Sequence, residues 1–538
     1  MIQARPALLA VLLLLPLAPG TPAQTVRADL LLAGGTLHDG TGAEPFVADV
    51  AVRDGRIVFV GDARAAGVRA SETVEVTGLL VTPGFIDAHS HAELDEDWGR
   101  DALAFLHQGI TTVVMGVDGG GEPEVGATLA RWRRNGLGVN ALTYVGHGAV
   151  RRRAMGMEDR RPTPAELEDM KRLVRQGMEE GALGLSTGLF YTPGSYADTD
   201  EVIELASVAA AFGAIYDTHD RDLGAAYPGI GYLASIREGI EIGERSGARV
   251  VFSHFNAQGA HNYGKAPEGA RLIREARLRG VEVAGAQHVY TATQSSLSAY
   301  AIPRWASAGG QAELVRRFDH PDTARLLDAE TMEMLGVRGG AEKILFSSPR
   351  PELNGRTLAE VAEGWGLTVP ETVRRILRDG SASVMNLDLY DPWNTRYLAR
   401  EPWMMTCTDG RTPEPGQVVT HPRVYGAFTK KLRDYVLDEK VIGMPFAVRS
   451  MTGLAADFFR LPDRGYLREG MAADVAVLDA ARVRDRATYE APRQLSEGTV
   501  HVLVNGVFAI RDGRATGALA GAALARPGGR LPKTDPRP

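Results

Sequence analysis

The sequence predicts an α/β fold: a (β/α)8 barrel of the TIM type carrying a small β-sandwich built from both chain ends. Three observations lead there. The middle of the chain alternates short apolar strands with amphipathic helices, and both ends carry strands separated by Gly and Asp turns. At 538 residues the chain is too long for one ordinary domain, yet it fits a large barrel with an accessory domain. A hydrophobic content of 44%, a charged content of 24% and 62 glycines describe a loop-rich globular protein. The formal charge of -7 gives no support to nucleic-acid binding, because Arg151-Arg152-Arg153 and Arg160-Arg161 have acidic residues nearby.

Residues 1–23 read as a secretory signal peptide. Arg5 supplies the positive charge, Ala7 to Leu17 the apolar core, and Thr21-Pro22-Ala23 a small-residue cleavage site. The apolar run is too short for a good membrane span. The expectation is an exported protein, periplasmic or secreted, with no membrane association after cleavage. The single cysteine, Cys407, excludes an intramolecular disulfide and reads as core packing on its strand.

Residues 24–82 form the first part of the β-sandwich, with strands such as Asp29 to Ala33 and Ile57 to Val60 beside turns at Gly34-Gly35 and Asp54-Gly55. Residues 83–440 form the barrel. Its strands include Thr111 to Met115, Leu142 to Val145, Leu183 to Ser186, Ile215 to Thr218 and Arg249 to Ser253, with helices at Thr163 to Gly181 and Asp200 to Phe212. Residues 294–368 break the rhythm and are expected to be an insertion over the barrel mouth. Residues 441–525 supply the last barrel helix and the second part of the sandwich, at Asp474 to Asp479 and Val500 to Gly506. Residues 526–538 are expected to be a disordered tail.

Chemistry concentrates at strand ends. The run Val81 to His91 delivers two histidines spaced by one residue. Side chains alternate along a strand, so His89 and His91 share a face, roughly 6.6 Å apart along the chain. Two such imidazoles suit a transition metal. Asp118, His219, His254 and Asp409 follow other strands, at the barrel end where such folds place active sites. Any one of them alone is commonly a cap or a loop hydrogen-bonder. Together they suffice for two metal ions. His147 reads either as a pocket-mouth residue or as a structural histidine. Gly119-Gly120-Gly121 lacks the lysine and spacing of a phosphate loop and reads as a flexible loop near the metals.

Several segments carry a resemblance over nearly the whole mature chain. They are Pro83 to His91, Gln108 to Val114, Gly181 to Tyr191, Thr218 to Arg221, Ser253 to Phe255, Thr408 to Gly410, His421 to Gly426 and Arg464 to Asp474. On these the chain resembles the metal-dependent amidohydrolase superfamily, and within it the N-acyl-D-amino-acid deacylases (D-aminoacylases). The resemblance implies that His89, His91 and Asp409 hold a more exposed metal, and His219 and His254 a tighter one. Asp118 stands where these deacylases carry a bridging cysteine thiolate. A carboxylate can bridge as well, but it is a harder ligand and weakens the preference for zinc over manganese or iron. The implied cofactor is therefore one or two zinc ions, with manganese or iron as alternatives.

Metals in such a cluster make water more acidic and polarise a carbonyl. Asp409 is the general base, taking a proton from the attacking water and giving it to the leaving amine, with Tyr191 helping the oxyanion. Asp409→Asn is expected nearly to abolish turnover and to spare the fold. For the substrate carboxylate, Arg423 matches the family arginine and Tyr191 a family tyrosine. Asn256 replaces a family lysine, and His288 stands where a tyrosine is expected. The implied partner is a small-molecule N-acyl amino acid, probed against dipeptide, cyclic-amide and lactone alternatives and against a non-catalytic metal-binding protein. The sequence leaves the oligomeric state open.

Overall fold

The computed structural model describes residues 26–528. The signal-peptide segment 1–23 and all but the first three residues of the tail 526–538 lie outside the described residues. No helix among the described residues is long and apolar enough to cross a membrane.

Eight parallel strands form the barrel, as the sequence predicts: Phe85–Asp87, Ile110–Met115, Asn140–Thr143, Gly184–Gly188, Ile215–His219, Arg249–Phe252, Val283–Gln287 and Met404–Thr406. Ladders join the first three and the last five. Two backbone bonds bridge the remaining gaps. Leu183 N donates to Thr143 O at 2.8 Å, and Ala88 N donates to Thr406 O at 3.3 Å. The strands are short and buried on both faces, their polar side chains included. The helices between them begin at caps written in the sequence. Thr163 and Glu166 form a capping box with Pro164 in the first turn, and Asp198 caps Thr199–Ala210.

The two chain ends meet in one continuous nine-stranded hydrogen-bonded sheet. The junction is Leu80–Pro83, antiparallel to Val475–Leu478 with Val81 opposite Val477. Leu30, Leu32, Val50, Val81, Val477 and Leu503 share its core, so neither end buries its apolar face alone.

The insertion is longer than the predicted 294–368. Thr293–Ser296 pairs antiparallel with Ser383–Asn386, which also pairs with Ile344–Phe346, so the unit closes only near residue 386. Its helices enclose a separate core that includes Leu297, Phe346, Val361 and Val384. The helical pattern of Leu358–Trp365 and Val369–Arg378 resembles a resumed barrel repeat, which hides the true end of the insertion from a periodicity argument.

After the eighth strand the chain becomes helical at Arg423–Lys430 and continues as a π-helix, Lys431–Asp438. Lys431 is fully buried and donates to Thr406 Oγ1 at 2.8 Å and Ser450 Oγ at 3.0 Å. Burial lowers its pKa from 10.5 to about 7. Between those values the unfolded chain binds a proton that the folded chain lacks, so this group makes stability rise as pH climbs from about 7 towards about 10. Lys431→Met should remove that rise and stabilise the protein at pH 7 by on the order of 2 kcal/mol. Urea midpoints measured across this range test it; an unchanged pH slope in the variant would be the contrary result.

Candidate active site

His89 and His91 leave the first barrel strand, Asp118 the second, His219 the fifth, His254 the sixth and Asp409 the eighth. Backbone bonds fix the ends that carry them. Asp409 N donates to His89 O at 2.9 Å, and His91 N donates to Gly410 O at 3.1 Å. Asp118, His254 and Asp409 have φ values of 55°, 32° and 49°. Left-handed backbone at three non-glycine residues is strain held in place by the surrounding fold, and such strain gathers at functional sites.

In the Gly119-Gly120-Gly121 run, expected to be a flexible loop near the metals, Gly119 and Gly121 are tightly packed while Gly120 is exposed at the cavity. A Cβ on Gly119 would lie 2.8 Å from Gly188 N, and one on Gly121 would lie 2.2 Å from Tyr144 O. Gly119 N also donates to Ser186 Oγ at 2.9 Å. These close approaches hold the Asp118 turn against the neighbouring strand.

The side chains converge. Asp118 Oδ1 lies 3.5 Å from His89 Nε2 and 3.6 Å from His254 Nε2, and its Oδ2 lies 3.3 Å from His91 Nε2. Asp409 Oδ1 lies 3.6 Å from His89 Nε2 and 3.4 Å from His91 Nε2. Donor atoms of His89, His91 and Asp118 all lie within 4.8 Å of one another, as do those of His89, His254 and Asp409. The His219 ring is 4.5 Å from that of His254. Its Nδ1 faces Asp220 O at 3.0 Å, which sets the tautomer and leaves Nε2 as the free donor atom.

The set fits a divalent metal. Both ring nitrogens of fully buried His89, Oδ1 of Asp118 and Nδ1 of His254 have no hydrogen-bond partner. So many orphaned buried polar atoms call for a missing ion or water. Burial lowers His89 to about 3 and His219 to about 4, which keeps both neutral and able to coordinate. For His91, burial works in the lowering direction, but Asp118 and Asp409 outweigh it and raise the pKa to about 9. In the metal-free protein a proton thus sits where the two carboxylates demand positive charge, and a cation there meets the same demand.

Two buried aspartates that the sequence reading missed support this cluster. Asp87 accepts from Thr408 N at 2.8 Å and from the Thr408 hydroxyl, tying the first strand to the eighth. Asp217 accepts from Ser253 Oγ at 2.9 Å, and burial together with Asp118 raises it to about 7. Each stands two residues before a strand-end histidine, on the same face. That Asp-x-His spacing was the available signal.

A cavity of about 600 Å³ opens over the cluster. His91, Asp118, His219, His254 and Asp409 line it from the barrel, while Thr293 to Ser296, Tyr300, Arg338 and Ser347 to Arg350 line it from the insertion. Tyr191 also lines it, with its ring 4.7 Å from His219 and its hydroxyl 3.4 Å from Ser295 Oγ. Burial holds the Tyr191 phenol well above its usual pKa, so it remains a donor.

The remaining expected substrate contacts divide. Arg423 reaches the cavity, but its Nη1 is ion-paired with Asp409 Oδ2 and lies 3.2 Å from His288 Nε2. Asn256 and His288, both expected to contact substrate, are buried and are not among the residues lining the cavity. Asn256 Oδ1 bonds the backbone N of Ala257 at 2.9 Å, and His288 packs behind the Arg423–Asp409 pair. His147 is fully buried, with Nε2 2.9 Å from Glu201 Oε1, and is structural. Three cavity arginines that sequence reading missed are Arg350, Arg411 and Arg338, the last lying in the insertion with no motif around it.

Comparison with known proteins finds relatives over nearly the whole described chain. The profile of the amidohydrolase family matches residues 72–218 and 238–510. The N-acyl-D-glutamate deacylase of Alcaligenes xylosoxydans xylosoxydans is 33% identical over 502 residues, covering 89% of this chain and 93% of its own. The D-aminoacylase of the same organism is 33% identical over 521 residues, covering 93% and 98%. The crystal structure of N-acyl-D-glutamate deacylase from Bordetella bronchiseptica, complexed with zinc and a phosphonate mimic of the tetrahedral intermediate, superposes with a TM-score of 0.78. It is 30% identical, covering 93% of this chain and 100% of the other. This chain belongs to the amidohydrolase family, on its D-aminoacylase branch.

Proposed function

We propose that the protein hydrolyses the amide bond of N-acyl-D-amino acids, releasing a carboxylate and a free amino acid, with His89, His91, Asp118, His219, His254 and Asp409 holding zinc. The observation that carries this reading is the convergence of four histidines and two aspartates from five strand ends beneath one cavity. The relatives named above support the substrate class.

A bound divalent cation supplies Lewis acidity, acidifying water and polarising the amide carbonyl. The chain's own groups do the rest. Burial opposes ionisation of Asp409, but Arg423 and the neighbouring histidines outweigh it and hold its pKa far below the usual carboxylate range. Asp409 therefore rests as the ionised base. From that state it can accept a proton from the attacking water and deliver it to the leaving amine. Tyr191, held neutral by burial, presents a hydroxyl to the developing oxyanion. The insertion covers the cavity and limits the water that reaches it.

The test is a paired panel of N-acetyl-D- and N-acetyl-L-amino acids, with dipeptides and cyclic amides alongside, combined with metal analysis. The expected result is turnover of the D series, lost on chelation and restored by zinc. Turnover confined to dipeptides or cyclic amides would replace the substrate assignment. Activity that survives complete metal removal would overturn the mechanism.

A further inference from the structure

Four arginines line the cavity, and three of them already have an acid. Arg423 is paired with Asp409, Arg411 with Glu93, and Arg350 with Glu352. Arg338 forms no ion pair among the described residues. It is only 3% exposed, and its buried Nε and Nη1 atoms have no hydrogen-bond partner. Asp222, a nearby carboxylate, accepts from the backbone N–H groups of Gly224, Ala226 and Gly231. An unpaired guanidinium buried this deeply carries a large desolvation penalty unless an anion arrives to meet it.

The surroundings fix the group in place. Arg338 follows the helix Pro321–Gly336, whose negative end favours a cation, and its carbonyl accepts from Asn386 Nδ2 at 3.0 Å. Its guanidinium carbon lies 4.0 Å from the Tyr300 ring centroid and 5.4 Å from that of Phe190. Phe190 in turn stacks on His219 at 5.4 Å, so a single aromatic ring separates Arg338 from the metal cluster. Stacking of this kind holds a planar fork rigid and leaves its edge free to pair.

We propose that Arg338 is the specificity-determining anion site of the cavity, taking a carboxylate of the substrate while Arg423 stays committed to Asp409. The assignment rests on the amide-hydrolase reading above. Either of two carboxylates offers the same chemistry: the α-carboxylate of the amino acid, or the side-chain carboxylate of an acidic one.

The experiment compares kcat/KM within two matched pairs: N-acetyl-D-alanine against its α-amide, and N-acetyl-D-glutamate against N-acetyl-D-glutamine. In the wild type the carboxylated member of one pair is preferred. Arg338→Gln should lower that preference about a hundredfold, chiefly through KM, and Arg338→Lys should retain part of it. The pair that collapses identifies the carboxylate. Arg338→Met keeps the aliphatic stem over Tyr300 and serves as the second variant where the glutamine form fails to fold. Preferences unchanged in both pairs, whatever the absolute rates, would overturn the assignment and leave the amide-hydrolase reading standing. A wild-type enzyme that hydrolyses none of the four compounds would instead remove that reading, and this assignment with it.

Discussion

Asp409→Asn is expected to lower kcat by at least about a thousandfold, and also to weaken the fold. The catalytic loss follows from position. Asp409 lies within 3.4 to 3.6 Å of two histidines of the cluster and is the ionised carboxylate best placed to move a proton. An amide nitrogen leaves poorly until it is protonated, so removing the shuttle should block the collapse of the tetrahedral intermediate while substrate still binds.

The effect on stability is where the structure departs from the sequence expectation, which had the fold spared. Asp409 is the only acid paired with buried Arg423 among the described residues. An asparagine leaves that guanidinium uncompensated, a loss on the order of 3 kcal/mol for a broken buried pair. The pH dependence carries the same signature. The folded pKa of Asp409 lies below the ordinary carboxylate value of 3.8, so its stabilisation is present above that value and is lost as pH falls through the folded one. Urea midpoints of the chelated protein should show an acid-side loss in the wild type that Asp409→Asn lacks. Adding Arg423→Met should recover part of the stability and none of the turnover. Near-normal kcat in Asp409→Asn would remove Asp409 from the mechanism.

The barrel and its histidines were legible because strand physics writes them locally. Apolar runs of strand length recur with helices between them, and period-two alternation puts His89 and His91 on one face. The sandwich was legible at both ends from its turns, but the pairing of Val81 with Val477 is a contact across almost 400 residues that no local pattern states. Arg338 was invisible for a related reason. Its significance is a lack of partners, and that appears only when Arg411, Arg350 and Arg423 are seen beside their acids. Asn256 was singled out only by resemblance, as the replacement of a family lysine, and no local pattern states where its side chain goes. Its Oδ1 accepts from the backbone N of Ala257, and Gln258 reaches the cavity.

Asp118 is where the second large effect is expected. Its two oxygens face His89, His91 and His254, which come from two different strand ends, so one side chain stands between both donor groups. Asp118→Ala should therefore lower metal content and kcat together, the latter by about a hundredfold or more, because ligand geometry and charge are lost at once. Asp118→Asn separates these contributions: it keeps the shape and one oxygen while removing the charge, and should retain more metal than the alanine variant. Asp118→Cys carries the sharpest consequence. A thiolate is softer than a carboxylate, so the variant should bind zinc more selectively and lose any manganese- or iron-supported activity that the wild type has. The measurement is metal content after reconstitution with equimolar mixtures, alongside kcat for each metal. The left-handed backbone at Asp118, braced by Gly119 against Gly188, holds the new side chain in the same direction. A change in metal preference would then reflect ligand softness, and an unchanged preference would place the choice of metal with the histidines.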